Sequence, residues 1–236
     1  TDISMLILHY TNMTDAEAAL ARLCDPASQV SAHYLIASDG EVFALVDEAD
    51  RAWHAGVSAW QGIRDINSAS VGIELDHPGH DVSGQMTAYP RAQMAALVDL
   101  SKAIIARHNI SPDKVLGHSD VAPGRKIDPG EALDWEALAS EGVGLWPEAV
   151  EPEEVETLKP GDATPAVAAL QQALRAYGYD ITHDRVFGAQ MSAVISAFQR
   201  HFRPSCVDGQ ADGETQTLVY AVCRAQAALD RGSVSP

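Results

Sequence analysis

The stretch LWPEAVEPEEVETLKPGD, residues 145–162, constrains the fold of this chain more than any other. Its prolines remove backbone donors and fix φ, and neither a strand nor a helix period runs through it. Such a segment reads as solvated linker, so the 236 residues are not expected to wrap one continuous core. The sequence predicts a first domain over 1–148, a linker over 149–160 and a second domain over 161–236.

Before the linker, strand and helix patterns alternate. ISMLIL is a short apolar run suited to a buried strand, and it ends at His9. TDAEAALARLC follows as a helix, with Thr14 and Glu17 at capping-box spacing. HYLIASDGEVFALV reads as a hairpin turning at Ser38-Asp39-Gly40. ASVGIEL puts Val71, Ile73 and Leu75 on one face and Gly72 and Glu74 on the other. A helical stripe of Met94, Leu97, Val98, Ser101, Ile104 and Ile105 starts near Pro90. The expected class is α/β, a mixed β-sheet flanked by helices. After the linker, Thr164-Pro165 opens a helix that stops at Gly178, and two more follow over MSAVISAFQRHF and ETQTLVYAVCRA. These predict a small C-terminal three-helix bundle. Its loops HDRVFGAQ and VDGQADGET resemble each other loosely.

Charge excludes some partners. The formal charge of −17 opposes nucleic-acid binding and a polybasic hold on anionic lipid. No apolar run approaches the length of a membrane span. The chain starts at Thr1, which leaves a removed leader open. Cys24, Cys206 and Cys223 form no CxxC pair; Cys206 and Cys223 either bridge in an oxidising compartment or stay free.

Chemistry concentrates in LGHSDVAPGRKIDPG, residues 116–130, where His118, Asp120, Arg125, Lys126 and Asp128 share one Pro- and Gly-studded loop. His9 and His118 each end an apolar segment. With Asp128 they make two imidazoles and a carboxylate, a set that suits zinc with a fourth position open. Spacing alone leaves a second reading, in which Asp128 caps a turn and His118 is structural. Glu74 lies among apolar residues, where a carboxylate needs a cleft, a metal or a partner unless its strand is an edge. Lys126 reaches the same loop or is simply exposed. AWHAGVSAW adds Trp53, His54 and Trp60, which stack on a ligand or pack in the core. No G-x-S-x-G elbow, P-loop or G-x-G-x-x-G is present.

The segments LILHYTN, SAHYLIASDGEVFALV, RAWHAGVSAWQG, INSASVGIELDH and VLGHSDVAPGRKIDPG, in this order, resemble the zinc-dependent N-acetylmuramoyl-L-alanine amidases of the amidase-2 family, relatives of peptidoglycan recognition proteins. The resemblance covers about residues 1–140. The tail, with LQQALRAYGYD, FGAQMSAVISAFQRHF and VDGQADGET, resembles the three-helix peptidoglycan-binding domain. The resemblance implies zinc held by His9, His118 and Asp128, Glu74 as acid/base, and Lys126 beside the scissile carbonyl. It also matches His33 and His54 to family histidines that are not ligands, and these two, with Trp53 and Trp60, become candidates for substrate contact. The expected substrate is peptidoglycan or muropeptides, handled by a monomer in the periplasm or cell envelope. A recognition module that binds without cutting, and a zinc peptidase acting within the stem peptide, are the alternatives.

Overall fold

A five-stranded sheet is built from β1 (Met5–Tyr10), β2 (Tyr34–Ile36), β3 (Val42–Ala44), β4 (Ser70–Leu75) and β5 (Val115–Gly117) in the order β3-β2-β4-β1-β5. The computed structural model describes residues 2–232. Strands β2, β4, β1 and β5 run parallel, while β3 pairs antiparallel to β2 through the expected hairpin. Central β1 is flanked on both sides, and Met5, Leu6, Ile7 and Leu8 are fully buried, as continuous apolar runs in parallel sheets are.

Helices α1 (Ala16–Leu23), α2 (Ile66–Ala69), α3 (Arg91–His108), α4 (His118–Val121) and α5 (Trp135–Ser140) connect or follow the strands. The cap of α1 differs from the sequence expectation. Asp15, not Thr14, accepts the Ala18 amide at 2.8 Å, and the Thr14 hydroxyl donates to Asp15 instead. Helix α3 buries Leu97, Ser101 and Ile104 of the predicted stripe, and Gln93 with them. Gln93 does more than pack, since its Nε2 donates to the Ile36 and Asp76 carbonyls at the ends of β2 and β4.

The chain forms two compact units, and they do not follow the linear division that composition suggests. The first holds the residues up to Ser58, Asp65–His118 and Asp128–Gly144. The second takes Ala59–Arg64 and Ser119–Ile127 together with everything from Leu145 onward. Within it lie α6 (Pro165–Tyr177), α7 (Ala189–Phe202) and α8 (Gly213–Gly232). Trp60 is fully buried here, edge-on to Tyr177 and Tyr179 at 5.2 and 4.9 Å. Gly178 ends α6 because a Cβ there would meet the Trp60 indole at 2.4 Å. The Pro- and Glu-rich stretch is exposed over residues 151–157 but not free. Its Glu153 amide donates to Thr217, its Glu156 carbonyl accepts from Gln216, and Leu158 pairs with Ala211. All three cysteines are free thiols, and burial pushes that of Cys223 up to about 11.

The two similar loops of this unit are built the same way. Gln171 of α6 donates to Asp184 Oδ1 and the Val186 carbonyl and accepts the Arg185 amide. Gln199 of α7 donates to Asp208 Oδ1 and the Gln210 carbonyl and accepts the Gly209 amide. Each middle residue is left-handed, Arg185 at φ 68° and Gly209 at φ 71°. A side chain there is strained, and glycine is not.

Two outcomes follow. Arg185→Gly should stabilise the chain by about 0.5–1 kcal/mol, the relief of left-handed strain less the added unfolded-state entropy of glycine. Gly209→Ala should destabilise it, because its Cβ would also lie 2.7 Å from the Ser192 and Ser196 hydroxyls. Urea unfolding of the two variants checks both signs. A chain ending at Glu148 would strip Trp60 of Tyr177 and Tyr179, so it should melt below the full chain and bind a hydrophobic dye.

Candidate metal centre

The parallel register gathers the candidates at one end of the sheet. His9, near the end of β1, has Glu74 of β4 as its register partner, and His118 follows the last residue of β5. Carboxyl ends of parallel strands are where such sheets collect ligands. Asp128 joins them from the loop beyond. His9, His118 and Asp128 are all buried. Their Nδ1, Nδ1 and Oδ2 atoms form a triangle with sides of 3.0, 3.0 and 2.9 Å.

The donor chemistry fits a metal. The Nε2–H of His118 donates to the Ala55 carbonyl at 3.0 Å, which leaves its Nδ1 as a lone pair. An Asp128 carboxylate oxygen stands 2.9 Å from that lone pair, an arrangement that a shared cation relieves. Four-coordinate zinc with bonds of about 2.0–2.1 Å has donor–donor edges of about 3.3 Å, close to the triangle observed.

A second layer holds the first. His9 Nε2 lies 2.9 Å from His54 Nδ1, and His54 Nε2 lies 3.3 Å from Ser70 Oγ. Asn67 Oδ1 accepts both the His54 and Ala55 amides, fixing the turn that supplies the ring and the carbonyl. Burial, then the neighbouring His9 and His33, push the pKa of His54 well down, so the ring is neutral. Gly72 makes room for it, because a Cβ there would lie 2.5–2.7 Å from the imidazole. Beyond, His33 accepts the Gly72 amide at Nδ1 and bonds the Asp50 carbonyl through Nε2.

Three of the residues expected at the substrate lie away from solvent. His33 and His54 are buried with both ring nitrogens engaged by protein groups, and Trp60 is core of the second unit. Of that group only Trp53 is open, at 49 % exposure. Glu74 is half-buried, with Oε2 shielded from solvent. Lys126 is half-buried on the Ser119–Ile127 segment. Asp120 is no ligand. Fully within the second unit, it accepts from Tyr179 and His201, both at 2.8 Å.

Several groups carry no local sequence signal. Tyr89 donates to the Pro129 carbonyl at 2.7 Å, behind Asp128. Burial pushes its phenol pKa far up, with Tyr10, Asp128 and Glu74 adding to the rise. His80 pairs with Glu131 at 3.0 Å and His77 with the Thr87 carbonyl, so the 76–89 loop is tied down near the Asp128 loop. Such pairs join residues far apart in sequence, which local pattern does not reveal.

An α/β sheet whose strand ends present two imidazoles and a carboxylate around one point offers a donor set that could hold a single metal ion. The chain belongs to the N-acetylmuramoyl-L-alanine amidase family, which its residues 1–131 match. Residues 163–219 match the peptidoglycan binding domain family. The chain is 41 % identical over 233 residues to N-acetylmuramoyl-L-alanine amidase AmiD of Escherichia coli, covering 93 % of this chain and 82 % of that protein. In structure it is similar to the E. coli AmiD complex with anhydro-N-acetylmuramic acid-L-Ala-D-gamma-Glu-L-Lys, with a TM-score of 0.81 and 38 % identity over 95 % of this chain and 90 % of that one. AmpDH3 of Pseudomonas aeruginosa gives 0.82 and 34 % identity over 95 % and 92 %.

The role of Gly72 is directly testable. Gly72→Ala should push the His54 ring from His9 and cost about 1–3 kcal/mol, the usual penalty of overpacking. Denaturant unfolding in the presence of a chelator reads that cost apart from any metal.

Proposed function

We propose that this chain is a zinc-dependent amidase that cleaves the bond between the lactyl group of N-acetylmuramic acid and L-alanine in peptidoglycan or muropeptides. The observation that carries the reading is the buried triangle of His9, His118 and Asp128 donors beside Glu74. Membership of the amidase family supports the reaction, and the relative solved with a muramyl peptide supports the substrate class.

His9 Nδ1, His118 Nδ1 and Asp128 Oδ2 would hold the ion. When bound, zinc supplies a Lewis acid that polarises a carbonyl and brings the pKa of a water to about 7. Glu74 takes the proton of the attacking water and returns it to the leaving amine of L-alanine. The Lys126 ammonium stabilises the oxyanion that develops on the scissile carbonyl. Trp53, exposed next to His54 in sequence, offers a face on which a sugar or peptide stacks.

The match of residues 163–219 supports a wall-binding role for α6 to α8, which would raise the local concentration of substrate. Such a role fits a location in the periplasm or cell envelope. Among the described residues no helix is long and apolar enough to cross a membrane.

Purified protein reconstituted with zinc should hold about one ion per chain, as a single site requires. Glu74→Gln should keep that zinc and lose ~10²–10⁴-fold in turnover, the usual contribution of a general acid/base. Lys126→Ala should also keep zinc and turn over more slowly. Mass spectrometry of digested muropeptides should show free stem peptide beginning at L-alanine. Cuts inside the stem would instead establish a peptidase.

A further inference from the structure

We propose that His54 is a positioning residue that, with Ser70, fixes the tautomer of His9 so that Nδ1 presents its lone pair to the metal. The inference rests on the zinc reading above and concerns groups which that reading does not use.

The direction of each hydrogen bond follows from the far end of the chain. A carbonyl can only accept, so the Ser70 hydroxyl, 2.6 Å from the Ile66 carbonyl, spends its one proton there. Ser70 Oγ is then an acceptor toward His54, and the proton of His54 sits on Nε2. A neutral imidazole with Nε2–H has a bare Nδ1. His54 Nδ1 therefore accepts from His9, 2.9 Å away, and the proton of His9 sits on its Nε2. What remains on His9 is a lone pair at Nδ1, the atom that stands 3.0 Å from His118 Nδ1 and from Asp128 Oδ2. One carbonyl of α2 thus sets the proton of a ligand two side chains away. His118 reaches the same state more simply, through the Ala55 carbonyl.

The burial of each member makes the relay rigid. Ser70 is fully shielded, and His9 and His54 nearly so. Asn67 holds the backbone of His54, and the absent side chain of Gly72 leaves the ring its slot. Ligand histidines commonly give their second nitrogen to a carboxylate or a carbonyl, and loss of such a partner typically costs 10–100-fold in metal affinity. Here the partner is a third imidazole, whose polarity is itself set by a serine.

The test compares His54→Leu, which keeps most of the volume and removes both nitrogens, with His54→Asn, whose Oδ1 stands where Nδ1 was. Zinc affinity is read by competition with a chromophoric chelator at fixed pH. His54→Leu should bind zinc about 10–100-fold more weakly, His54→Asn should recover most of that loss, and Ser70→Ala should fall between. Zinc affinity of His54→Leu equal to the wild type, or of His54→Asn as weak as His54→Leu, overturns the proposal. Long-range proton–nitrogen spectra of the zinc-loaded wild type provide a second measurement that needs no variant to fold. They should place the His54 proton on Nε2, and a proton on Nδ1 refutes the relay. A wild type that holds no zinc at all fails the zinc reading itself, and this proposal with it.

Discussion

The parallel pairing of β1 with β4 on one side and β5 on the other decides where the chemistry can be. It sets His9 level with Glu74 and lets His118 leave the neighbouring strand at the same end of the sheet. A shift of one residue in β1 would turn His9 to the opposite face and bring Tyr10 in its place. The register is protected by burial, since the same slip would turn the whole apolar run of β1 over. Core packing and site geometry are therefore one constraint.

Much of this was legible in the amino-acid order. The apolar run ending at His9, the alternation in Ser70–Leu75 and the stripe of α3 each announce their element, and the family resemblance singled out the three residues that the fold brings within 3.0 Å. The second layer was not legible. His33, His54 and Trp60 look alike in sequence, as polar or aromatic residues near Gly, and only tertiary structure separates a buttress from a core residue or a groove wall. Ser70 and Gln93 gave no sign at all, because their partners are backbone carbonyls that any residue could have supplied.

The linker region shows a second limit of local pattern. Composition marks the Pro- and Glu-rich stretch as solvated, and residues 151–157 are exposed, while Leu145, Pro147 and Leu158 are buried. Yet it is held by hydrogen bonds to Thr217, Gln216 and Ala211, and the second unit also draws on Ala59–Arg64 and Ser119–Ile127. Solvent exposure and conformational freedom are different properties, and proline content reports chiefly on the first. Asp120 shows the same lesson for a single residue. Two positions from His118, it spends both oxygens on Tyr179 and His201.

The paired glutamine clamps of the second unit have a consequence for how its surface can diverge. Each loop is shaped by a buried amide reaching in from a helix, so the loop needs neither strand pairing nor particular outward side chains to keep its form. The outward positions are then open to change on a conserved frame. One copy displays the exposed Arg185 and Val186, whereas the other has the buried Gly209 and the half-buried Gln210 at the matching positions. A duplicated scaffold thus carries two chemically unequal faces, and a ligand with repeating structure would meet them as different sites.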